Sequence, residues 1–182
     1  MSRRRIGAVS STVLAVVLVG FGHTAVGAAV SAPSDSLVRH CTTLLGAADP
    51  KTGLNSIVSE TCTTMKQHDR DALLAQQASY SNSQALAGLF DLVTIFDGLN
   101  RTGASSTIRI NGDPCDSAGY RFTPSPYWKT HISSLGQGAA PCNRARVYNN
   151  VDPSTSATTY VIPTNGIGEY NNNVGRMQVY NG

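Results

Sequence analysis

The spacing of apolar positions divides the chain into segments of different period. Two short runs, 38–45 and 55–62, have strand character and flank a stretch of turn formers that includes Asp49, Pro50 and Gly53. That pattern predicts a hairpin. The period then lengthens. Met65 is followed by Ala72, Leu73, Leu74 and Ala75, and Thr64 stands three residues before Gln67 in capping-box spacing. A helix is predicted over 65–78, with Asp69 and Asp71 in its early turns, where the helix dipole favours acids. Residues 79–88, which hold Ser, Asn and Gly, read as a linker.

From Leu89 to the C-terminus strand-like runs alternate with turns, at 92–96, 106–110, 119–122, 132–135, 144–148, 158–162 and 174–180. Ile108 and Ile110 flank Arg109, and Met177 and Val179 flank Gln178, the period of two of a half-buried strand. Pro114, Pro124, Pro126, Pro153 and Pro163 fall at strand ends or between strands, where a missing N–H does least harm. Short strands at this spacing predict a mainly β fold, an antiparallel sandwich.

The first residues stand apart from this pattern. Arg3, Arg4 and Arg5 precede an uncharged stretch from Ile6 to Ala28 with an apolar centre at 13–19. Val26-Gly27-Ala28 fits a small-residue cleavage site, with Val30-Ser31-Ala32 as a second option, so 1–28 reads as a secretory signal peptide. The apolar run is well short of the ~20 residues of a spanning helix, and no membrane span is expected after its removal. The chain has 14 Lys+Arg and 11 Asp+Glu, and the two signs balance once the three leader arginines are gone. A neutral chain lacks the basic footprint of a nucleic-acid partner. The expected organisation is therefore a leader over 1–28, a hairpin-plus-helix extension over 29–88, and a β domain over 89–182.

Four cysteines follow the leader: Cys41, Cys62, Cys115 and Cys142. An even count in an exported chain predicts two disulfides, for which three connectivities exist. Cys41–Cys62 with Cys115–Cys142 is favoured, because each pair then falls within one compositional segment. A Cys₄ zinc site is not expected, since no C-x-x-C pair occurs.

The strand region repeats itself in order. Leu92-Val93-Thr94-Ile95-Phe96 answers to Ala145-Arg146-Val147-Tyr148, and Ser106-Thr107-Ile108-Arg109-Ile110 to Thr158-Thr159-Tyr160-Val161-Ile162. Trp128-Lys129-Thr130-His131-Ile132-Ser133-Ser134 answers to Tyr170-Asn171-Asn172-Asn173-Val174-Gly175-Arg176. Each half supplies about four strands, enough for one Greek key. In this, residues 90–182 resemble the βγ-crystallin superfamily, specifically its secreted microbial members. Phe96-Asp97-Gly98-Leu99-Asn100-Arg101-Thr102-Gly103 keeps the family's opening aromatic and the Gly of its hairpin corner, with Arg101 where a second aromatic is usual. The second unit keeps Tyr148 but has Thr155 at the Gly position. The resemblance implies a double Greek-key sandwich, here preceded by the disulfide-clasped hairpin and one helix.

The resemblance also implies calcium binding, through an Asn/Asp-Asn/Asp-x-x-Ser/Thr-Ser loop in each motif. The first loop here, Lys129 to Ser134, keeps the hydroxyl half; the second, Asn171 to Arg176, keeps the amide half. Because the family exchanges ligands between paired loops, one composite site from Ser133, Asn171 and Asn172 is implied. Neither loop carries a carboxylate, and the charge balance for the cation is poor.

Catalytic patterns are missing from the sequence. There is no G-x-S-x-G elbow, no H-E-x-x-H and no phosphate-cradling loop, and His40, His68 and His131 lie far apart. Asp113 and Asp116 flank Cys115 and fit an Asp-Pro turn beside a disulfide better than a catalytic pair. Trp128 and Phe122 are expected in the core, and Tyr127 at the surface. The expected function is a secreted, non-enzymatic binding or structural protein acting at an extracellular surface. Two alternatives share the fold of the resemblance. One is a protease inhibitor of the metalloproteinase-inhibitor type, presenting loop 117–127 or 152–158 to a secreted protease. The other is a killer-toxin-like antimicrobial, which a neutral chain disfavours in its membrane-active form.

Overall fold

In the computed structural model, which describes residues 36–84, 88–139, 141–152 and 156–182, the first two apolar runs form strands β1 (Leu37–Ala48) and β2 (Asn55–Lys66). Side chains of the helix that follows are described as far as Gln77; the expected leader and cleavage sites, and Thr155, lie outside the described residues. β1 and β2 are antiparallel, with Cys41 opposite Cys62. The turn between them is built by Asp49, whose Oδ1 accepts the Lys51 N–H at 2.7 Å and the Thr52 N–H at 3.0 Å. Those two bonds hold its carboxyl below the usual carboxylate range. Both strands run past the bounds predicted for them, so the Cys41–Cys62 bridge lies within the ladder rather than at its open end.

The predicted capping box at Thr64 is not used. Thr64, Met65 and Lys66 remain in β2, opposite Arg39, Val38 and Leu37, and helix α1 (Gln67–Gln84) starts without an intervening turn. Three more ladder positions outweigh one local cap, as tertiary pairing commonly does. α1 also extends through part of the predicted linker, to Gln84.

The chain then forms β3 (Leu89–Phe96) and β4 (Ser105–Asn111), antiparallel to each other. The corner between them contains a 3₁₀ turn at Leu99–Arg101 and Gly103 at φ +74°. A Cβ on Gly103 would meet the Asp97 carboxylate, so glycine is required there by both conformation and space. Next come β5 (Tyr120–Phe122), the short helix α2 (Pro126–Lys129), β6 (Ser134–Gly136), β7 (Arg144–Asn149), β8 (Ala157–Val161) and β9 (Val174–Tyr180).

These strands join in one curled sheet in the order β6-β3-β4-β1-β2-β5-β9-β7-β8. The sequence predicts antiparallel strands throughout, yet two pairings are parallel. β1 runs beside β4, with His40 opposite Ser105 and Leu45 opposite Ile110, and Asn55 of β2 pairs Phe122 of β5. β1 and β2 thus stand in the middle of the sheet, between the two groups of strands that follow them. The described residues all belong to one compact unit.

The two repeated segments share a pairing scheme. β3 lies between β4 and β6, and β7 lies between β8 and β9. β5, from the first segment, pairs with β9 of the second. Thr164, from the second, bridges Leu135 of β6 in the first. The two segments bury a common core in which Phe122, Trp128, Ile132, Leu135, Ile167 and Met177 are almost fully enclosed. Full burial stabilises by roughly 1.5–3 kcal/mol for each such aliphatic or aromatic side chain. The second bridge, Cys115–Cys142, spans a Cα separation of 5.2 Å and ties the loop before β5 to the segment before β7. Both bridges have the predicted connectivity.

Candidate functional site

The repeat places its aromatic residues equivalently. Phe96 lies between Ser105 and Ser134, and Tyr148 between Ala157 and Arg176, each at the end of the central strand of its group. Trp128 ends up buried in α2 and Tyr170 in a 3₁₀ turn, each shortly before the group's last strand.

Between these groups the structure brings Ser133 and Asn172 together. Ser133 Oγ donates to the Asp97 carbonyl at 2.7 Å and lies 3.4 Å from Asn172 Oδ1. Asn172 adopts φ +58°, a conformation Asn tolerates, and its N–H donates to the Ile132 carbonyl at 2.8 Å. Asn171 lies beside it, exposed, at the end of the 3₁₀ turn. Ser133 Oγ, Asn172 Oδ1 and the Asp97 carbonyl converge as an uncharged set of three, well below the six to eight oxygens a calcium ion takes. The cluster is a hydrogen-bonded link between the groups, and it fits the cation poorly.

A denser cluster lies beneath α1. Arg70 is the one buried side chain on the described part of that helix. Its guanidinium carbon stacks 5.3 Å from the Phe96 ring centroid, and its nitrogens donate to the Gly103 carbonyl and to Asp71 Oδ1. On the sheet below, Arg109 of β4 donates from Nε to Asp91 Oδ1 of β3 at 2.5 Å. His40 of β1 is buried beside them, with Nδ1 2.8 Å from Ser105 Oγ. Burial, then the charges of Arg70 and Arg109, push the imidazole pKa below its ordinary value, so the ring is neutral at pH 7. Thr94 and Thr107 add hydroxyls to this floor, bonded across β3 and β4, while Thr43 and Ser106 bond across β1 and β4 on the other face of the sheet.

Because α1 crosses a polar floor rather than a matching apolar one, it leaves clefts on both sides. One, of about 410 Å³, lies toward β3 and includes Asp71, Asp91 and Phe96. The other, of about 460 Å³, lies over β1 and β2 and includes His40, Thr42, Thr61, Leu73 and Arg109.

Tyr127 is half-buried, stacked on His131 at 4.0 Å between centroids, with the Arg39 guanidinium 5.2 Å from its ring centroid on another side. The loop before β5 is exposed but tied down. Asp116 Oδ1 accepts the Gly119 N–H at 2.7 Å, Gln178 Nε2 donates to the Ala118 carbonyl at 2.7 Å, and Tyr120 Oη donates to the Asp113 carbonyl at 2.5 Å. Asp116 therefore braces the turn through its carboxylate, and Asp113 contributes its backbone carbonyl. Residues 152–158 lie partly outside the described residues.

Among the described residues one group of His, Cys, Asp or Glu is close enough to share a metal ion: Cys41, Glu60 and Cys62. Its sulfurs are joined in the disulfide and offer no thiolate. No described helix is long and apolar enough to cross a membrane. Sequence reasoning missed Arg70, His40, Asp91 and Arg109 as a cluster. The readable signal was a lone carboxylate in the apolar run 89–96 and a lone guanidinium between Ile108 and Ile110. No family model, curated protein or solved structure matches the chain.

Proposed function

We propose that the chain is an exported, disulfide-stabilised, non-enzymatic binding or structural protein built on a double Greek-key unit of the βγ-crystallin type. The observation that carries this reading is that two groups of the same pairing scheme cross over, the first lending strand β5 to β9 and the second a single bridge from Thr164 to β6. Two such halves bury a common core that neither encloses alone. Two disulfides suit an oxidising compartment outside the cytoplasm. The β1–β2 pair and α1 are additions to that unit and bring the buried cluster and the clefts with them.

Expression with the leader followed by peptide mapping tests the reading. The expected product is a mature chain in the medium carrying Cys41–Cys62 and Cys115–Cys142. A cytoplasmic chain with four free thiols overturns export, and turnover of ester, peptide or glycoside substrates overturns the non-enzymatic role. At Ser133 and Asn172 calcium binding is at most weak, with water completing the shell. A calorimetric titration with calcium is expected to give little heat and no rise in melting temperature; tight binding would overturn that assignment.

A second reading, inhibition of a secreted protease, is favoured by the start of loop 117–127. Ser117 and Ala118 are exposed beside Cys115–Cys142 and held by hydrogen bonds, while β5 and α2 take up most of the rest. Such rigidity limits the ordering entropy lost on binding. Assay of the mature chain against secreted proteases, metalloproteinases included, decides it: inhibition near one-to-one stoichiometry supports the loop, and its absence across the panel removes it.

A further inference from the structure

We propose that the cleft between α1 and the β1–β2 floor binds a small organic carboxylate with an apolar chain. This names a ligand class for the binding reading above and rests on it only to that extent, since export and the bridges are tested separately.

The cleft of about 460 Å³ falls within the roughly 300–1,000 Å³ of small-molecule sites. His40, only 4 % exposed, lines it, and Nε2 of that ring has no hydrogen-bond partner. Ser105 Oγ, fully buried, has His40 Nδ1 as its described partner. We assign the Ser105 hydroxyl as donor to Nδ1, its acceptor among the described residues, and this assignment places the proton of the neutral ring on Nε2. A buried N–H without an acceptor costs about 1–3 kcal/mol, a cost that a ligand oxygen would remove.

The charges around this donor select the sign of the ligand. The groups that act on His40 through space are Arg70 and Arg109, both cations, and Arg109 itself lines the cleft. Each is paired with an aspartate, Asp71 and Asp91, that lines the other cleft instead. No carboxylate lines the His40 side among the described residues. A cationic ligand would meet like charge, and a fully apolar one would leave Nε2–H unpaired. The walls supply the rest of the recognition. Leu44, Met65, Leu73 and Leu89 form apolar surface for a chain, while Thr42 and Thr61 add hydroxyls along the floor.

Octanoate titrated into the mature chain at neutral pH tests this, followed by proton–nitrogen correlation spectra of the histidine rings and of the backbone amides. Octanoate is expected to shift the His40 ring and the amides of Thr42, Thr61 and Leu73, and to leave the rings of His68 and His131 in place. Octanol is expected to bind roughly tenfold more weakly, having lost a charge-assisted bond, and octylammonium not at all. Leu73→Glu puts an anion in the wall and should lower octanoate affinity by roughly tenfold with little change in melting temperature. His40→Phe removes the donor but keeps a ring, and should weaken binding by roughly fivefold or more. Absence of any shift at His40 at millimolar octanoate overturns the proposal. Octanol binding as tightly as octanoate, or Leu73→Glu binding octanoate unchanged, overturns it as well.

Discussion

Phe96 and Tyr148 hold the same place in two strand groups that share a pairing scheme, yet their surroundings differ. Phe96 is 3 % exposed, beneath the Arg70 guanidinium of α1. Tyr148 stays half-exposed, with Arg146 and Arg176 both near its ring. Their strands differ in the same way. β3 is buried on both faces except at its first residue, whereas β7 alternates between buried and exposed positions. The reason lies outside either group: β1 extends the first group's sheet, and α1 covers the face that would otherwise meet water. β1 and α1 thus enclose the first group where the second stays half-solvated, and the polar groups beneath α1 find partners inside.

Truncating the paired aromatics gives the largest contrast. Phe96→Ala should cost about 3–5 kcal/mol, because it opens a cavity below α1, whereas Tyr148→Ala should cost about 1 kcal/mol. Chemical denaturation of both variants checks this, and equal costs would mean that α1 adds nothing to the enclosure. Replacing Cys115 and Cys142 together by Ser should cost roughly 3 kcal/mol by loop entropy and loosen the link between the two groups. Loss of amide protection in both groups, read by hydrogen exchange, would show the coupling; loss confined to the loop 113–119 would deny it.

Gly103→Ala should destabilise by about 1–3 kcal/mol, through its positive φ and the collision with Asp97. Its effect should stay near the first corner and leave the amides of β7 and β8 protected.

Acid should separate the two groups more gently. His40 has a folded pKa below its unfolded value near 6.5, so the unfolded chain binds the proton more readily. The associated stability is complete above that value and is lost as pH falls from there toward the folded pKa. The groups facing the ring are Arg70 on α1 and Arg109 on β4, with Asp71 and Asp91 paired to them. Amides of β1, β4 and α1 should lose protection before those of β7 to β9, and His40→Gln should flatten the difference. Simultaneous loss in both groups would assign the acid sensitivity elsewhere. At the bottom of the scale, Val161→Thr on the exposed edge strand β8 should change stability by no more than about 0.5 kcal/mol.

Much of this comparison was readable before any coordinates. The ordered repeat located the equivalent aromatics, and the segment boundaries of the cysteines predicted their pairing. Gly103 stood where a corner needs positive φ. The central position of β1 was not readable, because a parallel neighbour some sixty residues downstream leaves no local mark in a strand. The start of α1 was misplaced because a cap is a local signal and the β1–β2 ladder overrode it. Arg70, one charged residue among several on a polar helix, carried no sign of burial. The cleft over β1 and β2 draws on five elements scattered from residue 40 to residue 109, at no motif spacing.

The parallel contact between β1 and β4 also bears on the order of assembly. In chain order β2 follows β1 closely, but the second neighbour of β1 comes only after α1 and β3. Until then a twelve-residue edge is open to strands of other chains, the hazard that slow, long-range pairing carries. A crosslink between β1 and β2 forms from sequence that emerges early, and it locks that pair in register during the wait. The bridge at Cys41–Cys62 thus fixes the register of a pair whose residues both precede β4 in the chain.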